Sequence, residues 1–279
     1  MIIRCWGARG SIPVSGSQYL KYGGNTTCLE IRTKNDEILI VDAGSGIREL
    51  GNVLLAENRY EYIILMTHAH WDHIMGFPFF KPIYTQKAKI DIWGCPFAQT
   101  SLKEMLSRIM APPNFPVNFD EIHARMTYLD TCSDSYRLGS MTITPVALSH
   151  PNQGSGYKFE EDGKCFVFLT DNELGFRHAG GRDYQDYLQF TRGADLLIHD
   201  AEYDDAEYKK TRGWGHSLYK DALRLALEAE VKKLGLFHHN QERIDAGVEA
   251  IVNECHQEIT RRGKNLECFA VRQGMELSL

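Results

Sequence analysis

The stretch His68-Ala69-His70-Trp71-Asp72-His73 follows without a break on Tyr62–Thr67, a run apolar enough to be a buried strand. Alternating His68 and His70 can turn to one metal ion, while Asp72 and His73, at the turn into a helix, point to a second. Imidazole and carboxylate ligands suit Zn²⁺ first, with Mn²⁺ or Fe²⁺ as alternatives. A strand ending in such a run puts its chemistry where α/β folds commonly carry it, just beyond the strand's carboxyl end.

Upstream, the β-rich runs Cys28–Thr33 and Glu37–Val41 flank the turn-forming Lys34-Asn35-Asp36, so they read as a hairpin that ends at Asp42-Ala43-Gly44. Ile47, Leu50, Val53, Leu54 and Leu55 then recur at helical spacing, which gives a β-β-α-β order into the histidine run. Downstream the spacing predicts a strand over Lys89–Trp93 and a helix over Phe97–Met110, whose Leu102, Met105, Leu106, Ile109 and Met110 form a stripe facing the core or a second copy. Ala111–Phe119, with three prolines, is an irregular connection. Further strands are expected at Met141–Ala147, Tyr157–Phe159, Cys165–Thr170, Asp195–His199, Leu234–Phe237 and Leu266–Val271. Ser217 is expected to cap a helix over Leu218–Val231, and an amphipathic helix over about Ile244–Arg262 completes the pattern. No linker-like or repetitive segment interrupts residues 1–279, so one domain is expected.

Composition narrows the function classes. With 31 Lys plus Arg against 37 Asp plus Glu, the formal charge of −6 argues against broad binding to long nucleic acid, whose partners present a basic face. No apolar run approaches the roughly 18 to 20 residues of a membrane span. Met1–Gly10 lacks the apolar core and small-residue cleavage site of a signal peptide, so a cytoplasmic protein is expected. The seven cysteines contain no C-x-x-C pair, and free thiols are expected rather than a disulfide framework or thiolate zinc site.

The other informative histidines, His150, His199, His216, His238 and His239, also lie after or at the end of apolar runs. With the T-H-x-H-x-D-H run they make the sequence resemble the metallo-β-lactamase superfamily over nearly the whole chain. That resemblance implies a four-layer αββα sandwich, an α/β fold with a dinuclear site at one edge of its two sheets. Asp42 matches the strand-end Asp that orients the metal loop without ligating. His150 in Leu148-Ser149-His150-Pro151, Asp171 in Phe168-Leu169-Thr170-Asp171, and His238 in Leu236-Phe237-His238 match the later motifs, with His239 the competing choice for the last. Carried over, His68, His70 and His150 would hold one ion and Asp72, His73 and His238 the other, with Asp171 bridging. Two such ions about 3.5 to 4 Å apart can acidify a bridging water and neutralise phosphoryl charge. A bridging Asp is typical of phosphodiesterase-like members, whereas lactamases proper carry Cys there.

Gly215-His216-Ser217 and His199-Asp200-Ala201 resemble the G-H-S/T loop and H-E-A segment of the RNase Z branch. This implies His216 as proton donor to the leaving oxygen, oriented by Asp200, although a positioning role for His216 and a turn-forming role for Asp200 are the competing readings. Trp6–Pro13 and Tyr22–Cys28 resemble a bacterial group near RNase Z that includes cyclic-nucleotide phosphodiesterases. Between Asp171 and Asp195 there is no insertion like the Gly-, Pro- and Lys-rich arm with which RNase Z grips tRNA. The resemblance therefore implies a dinuclear phosphodiesterase in which metal-bound hydroxide opens a 3′,5′-cyclic nucleotide to its monophosphate, with Asp72, His216 and Asp200 catalytic. An RNA 3′-processing endonuclease acting on tRNA is the alternative, and a scaffold that kept the fold without the chemistry is a third reading. Asn25, Asn152, Ser217 and Arg9 are candidate substrate contacts by position, Trp71 is expected to pack, and a homodimer is what the resemblance implies for assembly.

Overall fold

The strands leading into the histidine run are apolar on both faces, and such strands need packing on each side. In β3, Ile38–Val41, the four side chains alternate between two separate cores and all are buried. The computed structural model, which describes residues 1–95, 101–130 and 132–279, meets this requirement with four layers in the order helices, sheet, sheet, helices. The first sheet has the order β14 (Glu276–Ser278), β1 (Ile2–Gly7), β2 (Cys28–Arg32), β3, β4 (Glu61–Leu65), β5 (Lys89–Gly94) and β6 (Arg125–Asp130). The second runs β13 (Glu267–Ala270), β12 (Lys233–Phe237), β11 (Leu196–Asp200), β10 (Lys164–Leu169), β9 (Ser155–Glu161), β8 (Met141–Ala147) and β7 (Tyr136–Leu138).

Leu29, Ile31, Leu39 and Val41 of one sheet meet Phe159, Phe166, Phe168 and Phe237 of the other in the central core. The outer face of the first sheet, with Ile40 and Ile64, is covered by α1 (Ile47–Ala56), and by α3 (Leu102–Ile109) beyond the single turn α2 (Trp71–Ile74). The outer face of the second carries α4 (Tyr184–Thr191), α6 (Tyr219–Glu228) and α7 (Asp245–Arg261), with α5 (Asp205–Thr211) on the way to α6. β2 and β3 form the expected hairpin, Leu29 opposite Val41, and Asp36 takes φ 65° in its turn. β3 through β6 are parallel, as are β10 through β13. The carboxyl ends of β3, β4, β8, β10, β11 and β12 all lead to the site residues, which meet at one edge of the sandwich. No helix among the described residues is long and apolar enough to cross a membrane.

Several local expectations change. The predicted helix 97–110 is seen as α3, capped by the Ser101 hydroxyl accepting the Glu104 N–H at 3.1 Å, and positions 97–100 lie outside the described residues. Its stripe, Leu102, Met105 and Leu106, faces the core. α6 starts at Tyr219 without a side-chain cap, because the Ser217 hydroxyl is engaged elsewhere. Strands β1, β6, β7 and β14 and helices α4 and α5 had no sequence-based expectation. The thiols are not all free: Cys95 and Cys132 form a disulfide, since β5 and β6 pair in parallel with Gly94 opposite Asp130 and so bring the residues just beyond them together.

Candidate metal centre

Asp42 ends β3 fully buried, its Oδ1 accepting the Thr67 N–H at 2.8 Å and its Oδ2 the Thr67 hydroxyl at 2.7 Å. The same Oδ2 lies 2.7 Å from His73 Nδ1, which makes Nδ1 the donor and leaves Nε2 as the open nitrogen of that ring. Two other imidazoles are turned by the same device. His150 Nδ1 donates to the Gly215 carbonyl at 2.9 Å, and His238 Nδ1 donates to Glu202 Oε2 at 2.9 Å.

The freed nitrogens converge on Asp171. His73 Nε2 lies 3.2 Å from its Oδ1, while the Nε2 atoms of His238, His68 and His150 lie 3.3, 3.5 and 3.9 Å from its Oδ2. Asp72 Oδ2 is 3.0 Å from His238 Nε2 and 3.3 Å from His73 Nε2, and it accepts the Ser11 N–H at 2.9 Å. His70 Nδ1 sits 2.9 Å from His150 Nε2. The ligand atoms of His68, His70, His150 and Asp171 lie within 4.8 Å of one another, as do those of Asp72, His73, Asp171 and His238, so Asp171 belongs to both groups.

The hydrogen bonding of this donor set suits a metal. Nε2 of His68 and Nε2 of His73 are buried with no hydrogen-bond partner. Each such orphan costs about 1–3 kcal/mol, and a cation approached by imidazole nitrogens and carboxylate oxygens removes that cost. The residues fit divalent metal ions. Burial pushes His68 well down and His150 to about 3, toward the neutral form that ligates. At His73 and His238 burial acts the same way, but Asp171 and the other facing carboxylates outweigh it and raise both. Burial would raise Asp171 and Asp72, yet the surrounding histidines hold both well below the usual carboxylate range.

Three strand ends reach this cluster through left-handed backbone, Asp42 at φ 63°, Asp171 at 48° and His238 at 57°. Such positions in non-glycine residues cost about 1–3 kcal/mol each and persist where surrounding contacts hold them. Here those contacts are the hydrogen bonds just described.

Beside the cluster, Asp200 at the end of β11 accepts the Glu202 and Ser217 N–H groups on Oδ1 at 3.0 and 3.1 Å. Its Oδ2 lies 2.7 Å from His216 Nδ1, and the His216 ring stacks on His238 with centroids 4.6 Å apart. Burial lowers His216, but Glu202 and Asp200 overcome it and raise the imidazole to about 9. The loop carrying His216 is anchored by Glu173, whose buried carboxylate accepts the Gly213 and Gly215 N–H groups at 2.7 and 2.8 Å, the Tyr208 hydroxyl at 2.8 Å and His178 Nε2 at 2.9 Å. Gly215 has φ 100°, and a Cβ there would fall 2.0 Å from His150 Nδ1, so no other residue fits. Glu173→Gln exchanges one accepting oxygen for an amide that clashes with backbone donors. It is expected to lower unfolding stability by about 1–3 kcal/mol, read as a shifted urea midpoint at unchanged slope.

His239 lies outside the cluster, with Nε2 bonded to the Val271 carbonyl at 2.7 Å, whereas His238 lies within it. His199 bonds Asn172 and the Asp200 carbonyl. Ser217, a candidate substrate contact, has its buried hydroxyl engaged internally, donating to the Asn172 carbonyl at 2.5 Å and accepting the Leu174 N–H at 3.0 Å. Arg9 is likewise buried, spent on the carbonyls of Gly23, Asn240 and Arg243. Asn25 accepts from the Ser45 hydroxyl at 3.2 Å, whereas Asn152 stands at the rim with Nδ2 3.4 Å from His70 Nε2. Trp71, expected to pack, is 68% exposed. Glu202 and Glu173 had no sequence-based expectation; the available signal for Glu202 was a second acid two residues past the strand-end Asp200.

The family model for the Beta-lactamase superfamily domain matches residues 38–239, a span that holds both four-residue groups and His216. Ribonuclease Z of Metallosphaera sedula is 25% identical over 250 residues, covering 72% of this chain and 78% of its own. The metallo-beta-lactamase fold protein YhfI from Bacillus subtilis superposes with a TM-score of 0.71 at 17% identity, over 99% of this chain and 98% of that one. Unliganded yeast PDE1 superposes at 0.65 and 16% identity, over 100% and 99% of the two chains. These structural likenesses speak to the fold alone.

Proposed function

Because the chain belongs to the metallo-β-lactamase superfamily, a family of hydrolases, we propose that it is a dinuclear metal-dependent phosphodiesterase opening a 3′,5′-cyclic nucleotide to the monophosphate. The observation that carries this reading is a histidine held by a carboxylate directly against the seven-residue cluster, His216 on Asp200 with its ring 4.6 Å from that of His238. His68, His70 and His150 would hold one ion and Asp72, His73 and His238 the other, with Asp171 shared. Zn²⁺ is the first choice, ahead of Mn²⁺ and Fe²⁺. When bound, such ions supply Lewis acidity, lowering the pKa of water and offsetting charge on the phosphoryl oxygens.

The chain's own groups do the rest. Asp200 accepts the Nδ1–H hydrogen bond of His216, so Nε2 is the nitrogen that delivers a proton to the departing ribose oxygen. Asp42 and Glu202 keep His73 and His238 turned inward. Glu202→Ala is expected to weaken metal binding by about 10- to 100-fold, measured by competition with a coloured chelator. Asn152, at the rim beside His70, is placed to meet the substrate, and Asn25 is a second candidate.

A small substrate is supported by the connection between β10 and β11, where an RNA-gripping arm would be expected. It folds down as α4, with Tyr187 buried and its hydroxyl on the Ala147 carbonyl at 2.9 Å. A second reading, RNA 3′ processing, is favoured by the likeness to ribonuclease Z. A homodimer in a cytoplasmic setting accompanies the leading reading. The deciding experiment incubates metal-reconstituted protein with 3′,5′- and 2′,3′-cyclic nucleotides and separates the products, with Asp72→Ala as control. Monophosphate formed only by the parent supports the proposal; intact cyclic nucleotides alongside cleaved precursor tRNA would replace it with the second reading.

A further inference from the structure

An indole left in water forgoes the free energy of burying its apolar surface, so exposed tryptophans in segments next to a cluster of ligating groups invite an explanation. Of the four tryptophans, Trp6 and Trp93 pack against the cores, whereas Trp71 and Trp214 are 68% and 64% exposed. Both belong to segments that touch His150. Trp71 follows His70, whose Nδ1 meets His150 Nε2 at 2.9 Å; Trp214 precedes Gly215, whose carbonyl accepts from His150 Nδ1 at 2.9 Å. A third ring, Phe176, is 41% exposed, and its carbonyl accepts the hydroxyl of Ser149, the residue before His150. The Arg212 guanidinium lies 6.0 Å over that ring. The residues at and beside His150 thus contact three segments that each carry a solvent-facing aromatic, and two of those segments are held firmly, by the Glu173 carboxylate at 213–215 and by the Ser149 hydroxyl at 176.

Flat π-faces on a fixed frame, next to groups that engage a phosphodiester, suit one kind of appendage. We infer that Trp71, Phe176 and Trp214 form a stacking rim that takes the heterocyclic base of a nucleotide whose phosphate lies at the His/Asp cluster. The inference rests on the phosphodiesterase reading for the phosphate's position, and it adds the recognition of the base. Stacking of this kind tolerates every base, so selectivity between purines would come from other contacts.

The test is binding rather than turnover. The metal-reconstituted full chain is titrated with adenosine and guanosine 5′-monophosphates and, separately, with ribose 5-phosphate, which offers the same phosphate without a base. Tryptophan fluorescence and calorimetry are read together. The nucleotides are expected to bind about 5- to 150-fold tighter than the sugar phosphate and to quench the emission. Trp71→Ala with Trp214→Ala should bring the three affinities together without altering that of ribose 5-phosphate, and Trp71→Phe with Trp214→Phe should keep most of the preference. Equal affinities in the parent, or a base preference that survives the double alanine variant, would overturn the inference. So would a parent with no preference whose double alanine variant sediments as a smaller species, since the indoles would then lie between two copies of the chain. Base preference without cyclic-nucleotide hydrolysis would retire the phosphodiesterase reading and keep the rim; hydrolysis without base preference would do the reverse.

Discussion

Asp171→Ala is expected to lower phosphodiester hydrolysis by more than about 10³-fold and to reduce bound metal to less than one equivalent per chain. The magnitude follows from position: one electrostatic stabiliser at a reacting centre is worth about 10²–10³-fold, and Asp171 alone serves both four-residue groups. Its two oxygens lie 3.2 Å from His73 Nε2 and 3.3 and 3.5 Å from the Nε2 atoms of His238 and His68. Without them four imidazoles face one another, a poor place to bring two dications. Asp42→Ala is the informative comparison, because Asp42 touches the cluster only through His73 Nδ1 and Thr67. It should weaken metal binding by about 10- to 100-fold and leave activity recoverable at high metal concentration, whereas Asp171→Ala should not recover. Elemental analysis after gel filtration, paired with turnover across a metal titration, separates the two. An Asp171→Ala protein that kept two equivalents of metal would remove the shared-carboxylate assignment.

The contrast between these two aspartates shows what the sequence could disclose. His68, His70, Asp72 and His73 are four of the seven clustered residues, and their geometry is local: one strand end and one helical turn set it. Asp171, His150 and His238 were named through the family resemblance, at motifs that end or closely follow apolar runs, and the fold brings them to the same cluster because strand ends in parallel sheets gather at one edge. Glu202 and Glu173 were not. A buried carboxylate that orients a ring or pins a loop has no spacing of its own; long-range packing decides whether it meets His238 or the Gly213 and Gly215 amides. Ser217 failed for a related reason. A Ser before a helix reads as a cap, but here the Asn172 carbonyl and Leu174 N–H compete for the hydroxyl and win. The missed strands lie at or near sheet margins: β6, β7 and β14 are outermost, β6 alternates exposed and half-buried residues, and only one or two cross-strand neighbours specify each. Cys95 and Cys132, 37 residues apart, are joined by the register of β5 with β6, which no cysteine spacing encodes.

His216→Ala is expected to slow opening of a cyclic nucleotide by about 10²- to 10⁴-fold, the usual worth of a general acid, with metal content unchanged. A rival role must be separated from this one, because the ligand atoms of Asp200, His216 and His238 also lie within 4.8 Å of one another. If His216 held an ion, its removal would cost metal. If it donates a proton, its removal should cost rate only where the leaving oxygen needs that proton. A ribose alkoxide needs it, whereas nitrophenolate leaves readily without it. The variant should therefore lose its activity on the cyclic nucleotide yet keep bis(p-nitrophenyl) phosphate hydrolysis within about tenfold of the parent, since proton transfer then adds little. Asp200→Asn provides the second arm. With an amide in place of the carboxylate that accepts from Nδ1, the imidazole loses the partner that fixes its tautomer and favours its charged form. The same substrate split is expected in weaker form. Equal losses on both substrates, or metal lost with the imidazole, would move His216 from proton donor to ligand, and the departing oxygen would then have to take its proton from water.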